Sequence, residues 1–464
     1  MAAMPTPVHE PANFSSPTPD ELKPAGKLAR VISGPLLFLF ILGDVLGAGV
    51  YALVGKIAGN VGGATWAPLL LALFFSLLTA ASYAELVTKY PQAGGSAVFA
   101  QRAYRSRLVA FLVGFAMLAA GVTSAAGLAL AFAGDYLRPL MDLPAMPVAL
   151  VFLVAVGFLN ARGVRESLGA NLVMTLLEVA GLLLIIGLGF AFLASGQGST
   201  ERLLDFRSGV SPGTAVLGAA LIAFYSFVGF ETSANIAEEV RDVRRVYPRA
   251  LFGALLVAGV IYLGVAVAAS LVLDPTTLAS SSAPLLDVVR ATGYNVPPWL
   301  FGFVALVAVA NGALLTMIMA SRLAYGMAEE GLLPQVLGRV LPQRRTPWVA
   351  IICTTIVAML LALTGTLAVL AKTVVLLLLF VFISTNLAVL VLRRDRVDHA
   401  HFRTPTALPV LAIASCLLLM TQQAAENWWR AGLLLAAGLL LYVLSAARTR
   451  YMKHRTAAAG DAAR

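Results

Sequence analysis

Apolar residues in this chain run almost unbroken over stretches long enough to cross a hydrocarbon layer, and polar residues collect in the short connections between them. About twelve runs approach the roughly 20-residue length that a bilayer requires. They are Pro35–Ala58, Trp66–Lys89, Leu108–Leu137, Pro147–Ala161, Ser167–Ala194, Pro212–Glu239, Pro248–Leu273, Pro298–Ala328, Pro347–Thr364, Leu367–Leu392, Leu408–Ala424 and Trp428–Ala447. Lipid offers no partner to a bare N–H or C=O, so each run must satisfy its own backbone and is expected to be helical. The pattern predicts an all-α integral membrane protein with about twelve transmembrane helices.

Two runs carry residues that weaken a helix near its middle. In the first, "GDVLGAGVYALVG" (Gly43–Gly55) sets an acid beside closely spaced glycines. In the sixth, "FYSFVGFETSANIAEEV" (Phe224–Val240) holds Gly229 and Glu231. A mid-helix glycine costs about 1 kcal/mol relative to alanine, and a carboxylate in lipid costs several unless sheltered. Close helix packing is one explanation for the glycines. A break in each helix is the other: freed N–H groups of one half-helix face an anion while freed carbonyls face a cation, which together suit a zwitterion. The central part of neither run contains Lys or Arg.

The composition agrees with a membrane protein. Of 464 residues, 59% are hydrophobic and only 12% charged, with a mean hydropathy of +0.87. The formal net charge of +10 reflects topology rather than nucleic-acid binding. With both termini placed in the cytoplasm, all but seven of the 33 Lys and Arg residues fall on that side, the exceptions being Lys56, Arg138, Arg202, Arg207, Arg290, Lys372 and Arg430. That is the positive-inside asymmetry. Residues 1–27 read as a disordered cytoplasmic tail without a cleavable signal peptide. Cys353 and Cys416 lie within spans, and the four histidines lie in tails or a loop, so no metal site, disulfide or cofactor is expected. No phosphate-binding loop and no polar catalytic domain is present, so an enzyme is not expected.

At the broken spans the chain resembles the amino acid, polyamine and organocation (APC) superfamily, nearest to bacterial amino acid permeases and cationic-amino-acid-transporter-like proteins. The matching stretches are "LGAGVY" (Leu46–Tyr51), "SYAELVTKYPQAGGS" (Ser82–Ser96), "NARGVRESLGANLVMTLLEVAGLL" (Asn160–Leu183), "FVGFETSANIAEEVRDVRRVYPRA" (Phe227–Ala250) and "SRLAYGMAEEGLLP" (Ser321–Pro334), in family order along nearly the whole chain. The resemblance implies a five-plus-five inverted repeat of the leucine-transporter type with helices one and six broken. Residues 28–195 would form the first repeat, 212–393 the second, 404–448 two additional helices and 449–464 a cytoplasmic tail. It also implies that backbone N–H groups around Gly47, Ala48 and Gly49 hold a substrate carboxylate, and that carbonyls near Val45, Tyr225 and Val228 take its ammonium. Tyr225 would cover the substrate or serve core packing, and Ser226 would line the same pocket.

Three acids are candidates for proton coupling or gating. Glu231 resembles the family's gating glutamate, with a structural hydrogen bond to span one as the alternative. Asp44 would bind a proton, a cation or the substrate's positive end, or cap the broken helix. Glu178 stands where some relatives carry a lysine proposed to replace a sodium ion, a role a carboxylate does not fill. The charges Glu238, Glu239, Arg241, Arg244 and Arg245 would form an inner gate or a solvated interface.

The resulting expectation is a secondary active amino acid transporter of the cytoplasmic (inner) membrane, working by alternating access on a free amino acid. Proton symport is favoured, and sodium coupling stays open because Ser321 lies near the surface that serves it in relatives. The alternatives are an exchanger, a non-transporting amino acid receptor and a channel. Neutral and cationic substrates both fit, the latter because of Asp44.

Overall fold

The computed structural model describes residues 32–462, apart from 48, 93, 135, 138–139, 163–164, 342–343 and 345. The tail expected over residues 1–27 lies outside the described residues, as does Ala48. The helices are α1 (Gly34–Leu46), α2 (Gly49–Val61), α3 (Trp66–Lys89), α4 (Gly95–Tyr104), α5 (Arg107–Phe132), α6 (Ala145–Arg162), α7 (Arg165–Ala194), α8 (Pro212–Tyr225), α9 (Val243–Val272), α10 (Pro275–Ser280), α11 (Pro284–Ala291), α12 (Pro298–Glu329), α13 (Trp348–Ala362), α14 (Leu367–Leu392), α15 (Ala407–Met420) and α16 (Ala425–Ala462). A 3-10 segment, Phe230–Glu239, continues α8. Only isolated bridges, and no strand, occur among the described residues.

Among the described residues, nine helical stretches are long and apolar enough to cross a membrane, and the bent pair α1–α2 makes a tenth. The apolar helices α13 and α15 are shorter. All twelve runs read from the sequence are therefore helical. Large aliphatic side chains in mid-span face outward, Val151 being 68% and Val260 69% exposed, as expected where lipid replaces water as solvent. The loop expected after α9 instead contains α10 and α11, and the C-terminal tail continues α16. Asp274 caps α10, accepting from the N–H groups of Thr276 and Thr277 at 3.0 Å each. Those two residues' hydroxyls and N–H groups hold its carboxyl well below the usual carboxylate range.

The helices pair in a repeating scheme. α1 packs on α7 and α9, while α8 packs on α14 and α3. α5 packs on α14 as α12 packs on α7, and the pairs α3–α9, α5–α12 and α6–α13 join the corresponding helices. Shifting the span number by five converts the first of these contacts into one another and maps each of the last three pairs onto itself.

Charged side chains are tied down at both ends of the bundle. Lys56, Arg202, Arg207 and Arg430 lie at one end, bonded to backbone carbonyls of Ala279, Leu271, Gly59 and Thr364. At the other end Ile32 bridges to the segment after span six, its N–H donating to Glu239 O at 2.9 Å. There the buried Glu85 takes a forked pair of bonds from Arg393, at 3.2 and 3.0 Å, and a third from Thr404 N at 2.9 Å. Lys89 donates to the carbonyls of Leu392 and Asp395 at 2.6 Å each. These bonds tie the end of α3 to the end of α14 and the connection to α15. Removing one partner of a buried pair costs about 3–5 kcal/mol because the other charge is stranded. Glu85→Ala is therefore expected to lower the apparent melting temperature in detergent markedly; a melting curve like the wild type's would show that Arg393 re-pairs at no cost.

Candidate functional site

The interruption in span one follows from Gly47-Ala48-Gly49. α1 stops at Leu46, α2 starts at Gly49, and the axis bends by 40°. In span six, the N–H groups of Ser226, Phe227 and Val228 bond three residues back, tightening the last turn of α8. Gly229 then adopts φ +130° and redirects the chain into the 3-10 segment. Only glycine takes that conformation without strain. Aromatic packing holds the redirected segment: the Phe230 ring lies 5.5 Å from Phe382 and 5.7 Å from Tyr83, and Phe227 lies 5.3 Å from Tyr262.

The two breaks meet around a cavity of about 70 Å³. Its lining includes Asp44, Val45, Gly47, Gly49, Tyr225, Ser226, Val228 and Glu231, so every described residue expected at the substrate site is gathered there. Ala48 lies outside the described residues, and the structure does not bring Glu178 to the cavity. The remaining wall is mainly apolar, with Met117, Leu128, Met319, Val374 and Leu378 from α5, α12 and α14. No Lys, Arg or His lines the cavity among the described residues.

The cavity is polar at opposed places. Beside Gly49, the first residue of α2, the Ser226 hydroxyl is buried without a hydrogen-bond partner among the described residues. A Cβ on Gly49 would lie 3.1 Å from that oxygen. Near Gly229 the acids converge. Glu231 Oε2 accepts from Gly229 N at 2.9 Å, and the Thr232 hydroxyl donates to Asp44 Oδ2 while lying 2.8 Å from Gly229 O. Tyr225 meets Ser124 of α5 hydroxyl to hydroxyl at 2.9 Å. Two of the carbonyls expected to face an ammonium already accept protein donors: Val45 O from the Tyr262 hydroxyl at 2.6 Å, and Tyr225 O from Val228 N at 3.1 Å.

Ser124, Thr232 and Asn235 are lining residues that the sequence reading missed. For Thr232 and Asn235 a signal existed, since both are polar and follow the Gly229 break closely. Ser124 had only the weaker signal of a hydroxyl in a small-residue stretch of span three.

Glu178 sits behind the cavity on α7. It is fully buried, and neither carboxyl oxygen has a hydrogen-bond partner among the described residues. One and two turns earlier on the same helix face are Thr175 and Asn171, the latter accepting from Asn311 of α12 at 3.0 Å. Ser321 is also buried, accepting from Asn160 at 3.1 Å and donating to Ile318 O at 3.0 Å.

A second, larger cavity of about 950 Å³ opens at the end of the bundle that holds Gln92 and Glu239. It shares Asn235, Met319 and Leu323 with the central one. Glu239 and Arg322 both line it, whereas Arg241, Arg244 and Arg245 are exposed.

A helical membrane bundle with two interrupted spans closed around a small cavity, which shares wall residues with a wider one at one end, has the build of a small-molecule carrier. The amino acid permease family model matches residues 32–431, and the chain belongs to that family. It is similar to the branched-chain amino acid permease BcaP of Bacillus subtilis, 26% identical over 90% of this chain and 93% of that protein. It is also similar to the methylthioribose transporter of the same organism, 27% identical with the same two coverages of 90% and 93%. Cationic amino acid transporter 9, chloroplastic, of Arabidopsis thaliana is 29% identical over 66% of this chain and 56% of its own length.

Proposed function

We propose that this transporter carries a free amino acid across the cytoplasmic membrane by alternating access, as a proton-coupled symporter. The observation that carries the reading is the Ser226 hydroxyl, buried beside the first turn of α2 with no hydrogen-bond partner among the described residues. A helix N-terminus presents unpaired N–H groups and a partial positive charge, and with an adjacent hydroxyl it suits a carboxylate. The acids near Gly229 supply the opposite polarity for an ammonium, and the aliphatic and thioether wall favours an apolar side chain. The named substrates of BcaP and of the Arabidopsis protein are amino acids, which supports the class.

The matched helix contacts support an inverted repeat, with residues 28–195 and 212–393 as the two halves. The positive-inside asymmetry supports a cytoplasmic position for both termini, and with that orientation the large vestibule faces inward. For coupling, Glu178 is the acid best supported, because it is a titratable group inside the bundle whose carboxyl oxygens have no hydrogen-bond partner among the described residues. Glu231 and Asp44 are engaged at the breaks.

The test is uptake of a labelled amino acid panel into proteoliposomes, under separately imposed proton and sodium gradients, with and without internal amino acid. Accumulation in empty vesicles driven by the proton gradient is expected. Glu178→Gln should retain exchange between preloaded vesicles and medium but lose at least tenfold of the proton-driven accumulation. Wild-type uptake confined to preloaded vesicles would make the protein an exchanger, sodium-driven uptake would replace the coupling ion, and binding without uptake would make it a receptor.

A further inference from the structure

We infer that the Asp44 carboxylate is the anchor for the substrate's ammonium group, taking that part ahead of the backbone carbonyls of the broken helices. The inference rests on the amino acid reading above and deepens it. Asp44 lies in the last turn of α1 three residues before Gly47, lines the central cavity, and is 8% exposed. Its environment lacks a counter-charge, since no Lys, Arg or His lines the cavity among the described residues. A buried carboxylate needs a partner of opposite charge or several donors. An ammonium group supplies three N–H donors and the charge together.

The surrounding bonds favour Asp44 over its neighbours. The carbonyls of Val45 and Tyr225 each already accept a protein hydrogen bond, so an ammonium there competes for the second lone pair. A charge-assisted bond to a carboxylate is roughly twice as strong as a bond to a neutral carbonyl. Thr232 orients the group: its hydroxyl has one hydrogen, and that hydrogen goes to Asp44 Oδ2, with Gly229 O also close at 2.8 Å. The Glu231 carboxyl is turned toward Gly229 N within its own segment. It therefore works to shape the break, while Asp44 spans from α1 to the segment after α8. A ligand bound to Asp44 touches both interrupted helices at once.

The experiment measures binding to the purified full-length protein in detergent, using L-leucine, its deaminated analogue 4-methylpentanoate, and 3-methylbutylamine, which lacks the carboxylate. Wild-type protein is expected to bind L-leucine more tightly than 4-methylpentanoate. Asp44→Asn, which keeps the size and an acceptor for Thr232, should weaken L-leucine at least tenfold, abolish 3-methylbutylamine binding, and bind 4-methylpentanoate at least as tightly as the wild type, since it removes a negative charge from the cavity. Thr232→Val should weaken L-leucine by a smaller factor, about threefold, through loss of orientation alone. The retained binding of 4-methylpentanoate separates loss of the anchor from loss of the fold. An Asp44→Asn protein that binds L-leucine as the wild type does overturns the inference and leaves the amino acid reading standing. Wild-type protein that binds none of the amino acids in the transport panel overturns that reading, and the inference with it.

Discussion

Gly49→Ala should reduce initial uptake by roughly fivefold to a hundredfold while leaving membrane insertion intact and lowering thermal stability modestly. The added methyl would lie 2.7 Å from the Cα of Ser226 and 3.1 Å from its Cβ and Oγ. The nearest atom is backbone, so no side-chain rotation relieves the contact, and α2 must move away from the turn after α8. Overpacking of this kind costs about 1–3 kcal/mol. If the whole cost falls on the substrate-bound state, each 1.4 kcal/mol is about tenfold. The methyl also meets the Ser226 hydroxyl, the group placed to receive a carboxylate. Gly49→Trp should abolish binding altogether. Gly218→Ala is the control: it lies on α8, and a Cβ there meets nothing within 4 Å. Uptake in Gly49→Ala equal to that of Gly218→Ala would remove the start of α2 from the binding site.

The membrane architecture was legible in one dimension because lipid imposes a one-dimensional rule. A span must be long, apolar and helical over consecutive residues, so α3, α5, α9, α12 and α14 stand out by length alone. The breaks were legible for a related reason: Gly47 and Gly49 in span one, and Gly229 in span six, are costly where they stand and so point to a purpose. What the sequence could not supply was how the second break is built. It shows glycine followed by acid, but not that the chain leaves Gly229 as a 3-10 segment, which puts Thr232 against Asp44 on another helix.

Polar partnerships across the bundle were less legible still. Glu85 and Arg393 are 308 residues apart in the chain, yet form a buried forked pair. Only the structure shows Glu85 and Lys89 as a lock between α3 and α14. Glu178 illustrates the opposite limit. Its position was singled out by resemblance to relatives with a lysine there, but that its carboxyl oxygens find no hydrogen-bond partner among the described residues is a three-dimensional fact. The same holds for the Ser226 hydroxyl, whose significance comes from being buried beside Gly49 rather than from its residue type.

Gly229→Ala should be the more damaging of the glycine changes, because it fails on two counts. At φ +130° an L-residue is strained, which costs about 1–3 kcal/mol. Its Cβ would also lie 2.7 Å from the backbone oxygen of Asp44 and 2.9 Å from the carbonyl carbon. Both atoms belong to α1, so the methyl drives the two interrupted spans apart where they cross. The N–H of Gly229 that serves Glu231 Oε2 depends on the same backbone conformation. Both changes are expected to lose uptake and thermal stability; Gly49→Ala, whose site has no positive φ, should lower the melting temperature less than Gly229→Ala, which adds backbone strain to its contacts. The comparison separates two roles for glycine: space for a ligand beside α2, and the crossing of α1 by span six. Retained stability in Gly229→Ala would mean that the span can rewind into a regular helix without that crossing, and that the acids meet the substrate in some other arrangement.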